Sequence, residues 1–350
     1  MAWSEASARL VPLKQGVTIA GGGLAGLSLA VALRLRDVPV TVLEAGAYPR
    51  HRVCGEFISG VSRETLEFLG IADLFHDAKR QSTLCWWDGE QVIHKDHLVE
   101  PALGISRYEL DHRLQGRLLD LDGTLVTHHR AERDLREGHV WAAGRKARHG
   151  SWIGLKAHVR GLALEADLEM RSGSNGYAGL APVEDHWVNV CGLFRLDRSL
   201  RAKGSALLPS YLEAGGSRSL AHRLRQCEWR EGSFSAVAGF DLGRQPVEPG
   251  LFAIGDAESM IPPFTGNGMS MAFQAAETAC PPLVAWSAGE MPWPQAVDDV
   301  RDALTGRFKK RLFAAKLFHQ VLFNDAGRSV LRALSASHLL PFGTMLSFVR

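Results

Sequence analysis

The sequence predicts an α/β protein with an α+β insertion. The expected parts are a Rossmann-like domain, a mostly antiparallel sheet inserted into it, and a set of C-terminal helices. Three observations carry this expectation. A short apolar strand runs into a Gly-x-Gly-x-x-Gly turn near the start of the chain, and a second strand, glycine turn and helix recur around residue 255. Between them lies hairpin-rich, tryptophan-rich sequence. A chain of 350 residues can hold two domains, or one domain with a sizeable insertion.

Val17 to Ala20 reads as a buried parallel strand, and Gly21, Gly23 and Gly26 follow at the Gly-x-Gly-x-x-Gly spacing, with a helix expected from Leu27 to Leu35. In this pattern Gly21 permits the tight turn, Gly23 lets a pyrophosphate approach the backbone, and Gly26 lets the helix lie close to the strand. The opening N–H groups of such a helix lack intrahelical acceptors and favour an anion. A second strand, Val40 to Leu43, delivers Glu44, whose two oxygens can accept from the sugar of an adenosine and would repel a 2′-phosphate. The pattern indicates a dinucleotide and fits FAD and NAD alike.

The chain then runs through a long basic connection, Tyr48 to Phe57, and a short helix from Ser62 to Leu69 that Gly70 stops. Ser82 to Trp87 and Glu90 to His94 read as a hairpin around an Asp88-Gly89 turn, the start of a second sheet. After Gly104 a helix is expected with Leu110, Leu114, Leu118 and Leu121 on one face. His139 to Ala143 reads as a strand returning to the first domain, and residues 152 to 194 read as further sheet. Helices are expected at 205–213 and 218–227, and a strand at 233–238. The resulting domain assignment is 1–80, 104–150 and 240–295 for the dinucleotide domain, 81–103 and 151–239 for the substrate domain, and 296–350 for C-terminal helices.

Gly250 to Ala257 forms the second informative stretch: an apolar strand ends in Gly255-Asp256, and Pro263, Gly266, Asn267, Gly268 and Met269 lead into a helix expected to run to Ala279. This repeats the chemistry of the opening stretch, with close backbone approach and free N–H groups at a positive helix end. Val297 to Phe323 and Ser329 to Leu340 read as helices in which Arg307, Lys309, Lys310 and Arg311 alternate with large apolar residues.

Bulk composition narrows the function. The chain is 46% hydrophobic and 22% charged with a net charge of +2, which gives no reason to expect a nucleic-acid partner. No secretory signal or membrane-spanning run is expected. The five cysteines are scattered without a C-x-x-C pair, which favours a reducing cytoplasm over a zinc site, and no metal is assigned.

Two sugar-phosphate sites at opposite ends of the chain separate FAD from NAD, and a plain NAD dehydrogenase leaves Gly255 to Met269 unexplained. Over most of its length the sequence resembles the p-hydroxybenzoate hydroxylase (group A flavin monooxygenase) and geranylgeranyl reductase superfamily of FAD-dependent oxidoreductases. The matching motifs are Gly21 to Gly26 with Glu44, Arg107 with Leu110-Asp111, and Gly255-Asp256 with Pro263-x-x-Gly266-x-Gly268. The connection Arg52-x-Cys54-Gly55-Glu56 is similar to that of the reductase-related branch.

The resemblance implies that Gly21, Gly23, Leu24, Ala25, Gly26, Glu44, Ala45 and Arg52 hold the adenosine half of FAD. It also implies that Arg107 lies along the cofactor, that Asp256 accepts from the ribityl chain, and that the N–H groups of Gly268 and Met269 face the N1–C2=O edge of the ring. A helix N-terminus there stabilises the charge of reduced flavin by roughly 0.3–1 kcal/mol or more when buried. The implied activity is a monooxygenase cycle: NAD(P)H serves as transient reductant, O2 forms a flavin C4a-hydroperoxide, and an apolar or aromatic small molecule is hydroxylated. Two alternatives stay open, an FAD-dependent C=C reductase and a non-catalytic flavin-fold escort protein.

The sequence departs from the family where hydroxylases carry an Asp-Gly pair, since this chain has Ala143-Gly144-Arg145-Lys146. The basic Arg145 and Lys146 can serve a phosphate. The stretch from Arg107 to Gly144 is also short, and the tryptophan motif of flavin halogenases is absent, which argues against halogenation. Cys54 and Glu56 are substrate-pocket candidates. For Cys54 a buried inert thiol is the favoured reading, and for Glu56 a solvated loop acid competes with a proton-transfer role. Among Trp86, Trp87, Trp152, Tyr177 and Trp187, some are expected to line an apolar pocket. The C-terminal helices are read first as packing across the domain junction, with peripheral membrane contact or flanking of an apolar substrate as the alternatives.

Overall fold

The computed structural model describes residues 14–145, 150–240 and 242–349. Lys146, proposed above for a phosphate, lies outside them.

Strand β1 (Val17–Ala20) sits in the middle of a parallel sheet, which is why nearly every residue of it is apolar and buried. It pairs with β2 (Val40–Leu43) on one side and β7 (His139–Trp141) on the other. Strands β6 (Thr124–Val126) and β15 (Phe252–Ala253) flank these, so the order is β15-β7-β1-β2-β6 with every pair parallel. The connection from β6 to β7 contains no strand. Helix α1 (Leu24–Arg34) packs against α6 (Gly268–Ser287) and α3 (Arg107–Asp120). Ser106 caps α3 by accepting the Glu109 N–H, while Leu110, Leu114 and Leu118 are buried as the stripe requires. The remaining helix of this region, α2 (Arg63–Phe68), is capped by Ser62.

The second sheet is built from β3 (Phe57–Ile58), β4 (Lys79–Asp88), β5 (Gln91–Gly104), β8 (Trp152–Arg160), β9 (Leu168–Gly173), β10 (Gly176–Pro182), β11 (Val188–Arg195), β12 (Glu228–Trp229) and β13 (Ser235–Ala238). Its pairings are antiparallel except for β4 with β9. Helices α4 (Leu207–Ala214) and α5 (Arg218–Gln226) bury Leu208, Leu212, Leu220 and Leu224 against it. A two-stranded ribbon, β14 (Gly243–Arg244) with β16 (Ser259–Met260), flanks the return to the parallel sheet. The chain ends in α7 (Trp293–Leu322), α8 (Asp325–Ala336) and α9 (Phe342–Ser347). No helix of the described residues is long and apolar enough to cross a membrane.

Several boundaries differ from the sequence reading. The first helix begins at Leu24 with Gly23 as its N-cap, which places Gly26 inside it. Asp88 pairs with Gln91, so the hairpin turn is Gly89-Glu90, with Gly89 at a φ of 58°. Helix α6 does not stop at Ala279 but continues through Pro281 and Pro282 to Ser287, because Leu283 and Trp286 are buried in the same core as Trp293 and Val297 of α7.

Candidate functional site

One cavity of about 1290 Å³ is lined by both sheets and by the C-terminal helices. Both glycine stretches open onto it: Gly21, Gly23, Leu24 and Ala25 from the first, Gly255, Asp256, Pro263, Gly266, Gly268 and Met269 from the second. Gly26 and Asn267 stand behind this lining. The two helix starts have the same construction. Neither α1 nor α6 has an acidic residue in its first turn or a side chain capping its N–H groups. A Cβ on Gly23 would meet no atom within 4 Å, and one on Gly268 would meet only Ile261 at 3.9 Å. Both backbones are therefore open to close approach by a ligand.

Glu44 lines the adjoining wall and is already well bonded. Its Oε2 accepts the Gly22 N–H at 2.8 Å, and its Oε1 accepts the Gly46 N–H at 2.9 Å and Arg50 Nη2 at 2.7 Å. Burial alone would raise this carboxyl, but the two N–H groups and the cations Arg52 and Arg50 outweigh it and hold the pKa below the usual range. A carboxylate offers about four acceptor positions, so one remains for a hydroxyl. Beside it, fully buried Asp111 anchors two cations of the lining. Arg107 donates Nε and Nη2 to it at 2.8 and 2.9 Å, and Arg52 donates Nε at 3.0 Å. Ala45 completes this end of the cavity.

At the other glycine stretch the Asp256 side chain is exposed into the cavity, with no protein hydrogen bond to its carboxylate among the described residues. Enclosure by protein raises its pKa, opposed by Arg107 and Arg145. Arg145 lines the cavity, but its guanidinium donates to Gly239 O at 2.5 Å and Ala238 O at 3.1 Å and lies over Phe240. It braces the second sheet with the donors that the sequence reading gave to a phosphate.

The far end of the cavity is apolar. Leu84, Trp86, Leu98, Met170 and Tyr177 come from the second sheet, while Phe318, Leu322, Leu331, Phe342 and Met345 come from α7, α8 and α9. Of the aromatic residues expected there, Trp86 and Tyr177 line it; Trp87 lies under Arg171, Trp187 under Arg160, and Trp152 packs on Phe323. The C-terminal helices thus form a wall of the cavity as well as packing on α6. Asp88 ties that wall to the second sheet through Arg332 Nε at 3.3 Å and Arg328 Nε at 3.9 Å.

Cys54 lines the cavity, and burial pushes its thiol pKa up, the state of an unreactive cysteine. Glu56 is neither solvated nor in the lining. It is fully buried, with the Lys156 ammonium at 3.1 Å and His158 Nε2 at 2.5 Å. Burial would raise its carboxyl, yet Lys156 and His158 hold it down at about 2. The sequence reading also missed His51 and the loop residues His129, Arg130 and Arg133, whereas the C-terminal helices line the cavity as the flanking alternative has it. Basic character in the 50–52 connection was the one signal for His51, and nothing local marks the others.

No family model and no curated protein matches the chain by sequence. Its fold matches solved flavin-dependent enzymes over nearly the whole length. p-Nitrophenol 4-monooxygenase PnpA from Pseudomonas putida DLL-E4 superposes with a TM-score of 0.73 at 15% identity, covering 96% of each chain. The flavin-dependent brominase Bmp2 gives 0.70 at 16% identity, covering 95% of this chain and 93% of that one. PqsL from Pseudomonas aeruginosa, described as a probable FAD-dependent monooxygenase, gives 0.68 at 14% identity, covering 90% and 98%. The chain has the fold of these enzymes: a Rossmann-like parallel sheet, an inserted mostly antiparallel sheet and C-terminal helices.

Proposed function

We propose that this protein is an FAD-dependent oxidoreductase, a monooxygenase that uses NAD(P)H and O2 to hydroxylate an apolar or aromatic small molecule. The reading rests on one observation above all: Gly23 and Gly268, each at the start of a helix with uncapped N–H groups, border the same cavity. A dinucleotide with an anionic middle and an electron-accepting ring has the length and the chemistry to use both ends.

In this reading Gly21, Gly23, Leu24 and Ala25 would hold the pyrophosphate, with Gly26 bringing the helix close, and Glu44 with Ala45 the adenosine ribose. Arg52 and Arg107, kept in place by Asp111, would balance the phosphate charge. Asp256 would accept from the ribityl hydroxyls, and the N–H groups of Gly268 and Met269 would face the ring edge that becomes negative on reduction. Bound there, FAD would supply electron transfer from NAD(P)H and the activation of O2. The apolar wall from Trp86, Met170, Phe318, Leu322 and Phe342 would orient the substrate and exclude water. Such a wall suits an apolar or aromatic substrate, and the basic, aromatic C-terminal helices would allow peripheral contact with a membrane surface. The five free cysteines suit a cytoplasmic setting.

The test is the absorption spectrum of the purified protein, before and after NAD(P)H under air. Flavin bands that bleach, with O2 consumed as NAD(P)H is oxidised, are the expected result. Anaerobic turnover with reduction of a C=C bond would replace the hydroxylase by a reductase, and a colourless protein that refuses FAD would overturn the flavin assignment altogether.

A further inference from the structure

Lys156 and His158 lie two residues apart on β8 and so point to the same side of the sheet, where the 50–56 loop covers them and leaves both fully buried. Lys156 Nζ stands 3.1 Å from Glu56 Oε1 and hydrogen-bonds His51 Nδ1 at 3.0 Å. Glu56 also accepts His158 Nε2–H at 2.5 Å and the Arg107 N–H at 3.0 Å. It does so from a left-handed backbone, φ 56°, a conformation uncommon for a residue with a side chain. The nucleotide-holding reading above leaves His51, Lys156 and His158 without a role.

An ammonium group has donors only, so His51 Nδ1 must accept, and a neutral imidazole then carries its proton on Nε2. The ring is held on its other sides as well. It stacks on Tyr108 at 4.7 Å and meets His158 edge-on at 4.9 Å. His51 lines the cavity beside Cys54 and Gly55, and among the described residues no hydrogen bond reaches its Nε2. Burial pushes the imidazole pKa down to about 3; Lys156, His158 and Arg230 push the same way, and Glu56 opposes them. At neutral pH the ring is uncharged, and its free Nε2–H is a fixed donor facing the cavity.

We propose that His51 donates its Nε2–H to an oxyanion of the substrate, a phenolate, enolate or carboxylate oxygen, and that Lys156 is the positioning residue that fixes its tautomer. This deepens the reading of the cavity as a flavin and substrate site and rests on it. A donor held in place without reorganisation favours an anionic oxygen over a neutral carbonyl, while the nearby Lys156 and Arg230 charges are offset by Glu56 and Glu184.

The test uses the full chain loaded with FAD and titrated calorimetrically with benzoate and with benzamide, a pair differing in the anionic oxygen. Benzoate should bind about tenfold tighter or more, and His51→Ala should remove that preference while His51→Gln, which keeps a donor, retains most of it. Removing Lys156 alone would strand a buried carboxylate, so its arm is the double variant Lys156→Met with Glu56→Gln. His158, Arg230 and Tyr108 then remain around His51, and benzoate affinity should gain a pH dependence between about pH 5 and 8, strengthening as pH falls, where the parent enzyme is flat. A wild type that binds benzoate no tighter than benzamide, or a His51→Ala enzyme that keeps the preference with its FAD in place, overturns the proposal. A chain that takes up no FAD overturns the flavin reading and this proposal with it.

Discussion

A methyl group on Gly255 would stand 2.9 Å from the Cβ of Ala25, although the two residues lie at opposite ends of the sequence. The start of α1 and the turn after β15 are therefore held in contact. The arrangement depends on Gly255 twice, since its backbone is also left-handed, φ 64°.

Gly255→Ala should accordingly destabilise the protein by about 1–3 kcal/mol through strain and crowding. If the two stretches grip one cofactor, FAD affinity should fall with it, because the turn carrying Asp256 must move away from α1. Thermal melts of the variant with and without FAD measure both effects. A variant as stable as the parent, with unchanged FAD affinity, would contradict the account.

Glu56 and His51 contribute to the acid behaviour, alongside His319, which burial lowers to about 4. The carboxyl of Glu56 is held down from its ordinary 4.5 to about 2, so its contribution is complete above pH 4.5 and is lost as pH falls toward 2. His51 is depressed from 6.5 to about 3, so the unfolded chain takes up its proton first and stability declines from pH 6.5 downward. Both act in the same direction, and urea melts should show stability falling steadily as pH drops from 6.5 to 3. Glu56→Gln, which leaves Lys156 buried without its anion, should cost about 3–5 kcal/mol at pH 7 and flatten the lower part of that curve.

The parallel-sheet half was legible because its determinants are local: strand, glycine spacing and helix are consecutive, and Gly26 lets the helix start lie against the Gly21 carbonyl. Leu110, Leu114 and Leu118 were legible for the same reason, as one stripe on one helix. The Lys156 and His158 pair misleads. Within Ile153 to Val159 these two polar residues alternate with Leu155, Ala157 and Val159, the pattern of a strand with one wet face. That face is covered by a loop from residues 50–56, about a hundred positions away, and a period-two pattern holds no record of what covers it. The C-terminal wall was legible only as one alternative for a related reason: an amphipathic helix shows that it buries a face, not which cavity the face closes.

Asp88 offers a way to loosen that wall without touching the glycine stretches. Its carboxylate holds Arg332 and Arg328 of α8, and among the described residues both arginines are otherwise anchored only locally and to Gly173 O. Asp88→Asn should speed limited proteolysis within residues 324–341 while changing global stability by no more than about 1 kcal/mol, the scale of partly exposed ion pairs. Unaltered cleavage of α8 would show that apolar packing of Leu322 and Leu331 on Trp86 suffices to hold it.

Gly23 separates folding from binding. Its backbone is extended, φ −88° and ψ −173°, so alanine fits without strain, and its Cβ would meet no protein atom within 4 Å. Gly23→Ala should therefore leave the cofactor-free protein within about 1 kcal/mol of the parent, the ordinary cost of alanine at an N-cap. In the proposed reading the space that methyl enters is where a pyrophosphate would reach the opening N–H groups of α1, so FAD affinity should fall about tenfold or more. Gly255→Ala lowers both quantities; Gly23→Ala should lower one. Matched melts and FAD titrations of the two variants read the difference directly, and a Gly23→Ala protein that binds FAD as the parent does would move the cofactor away from this turn.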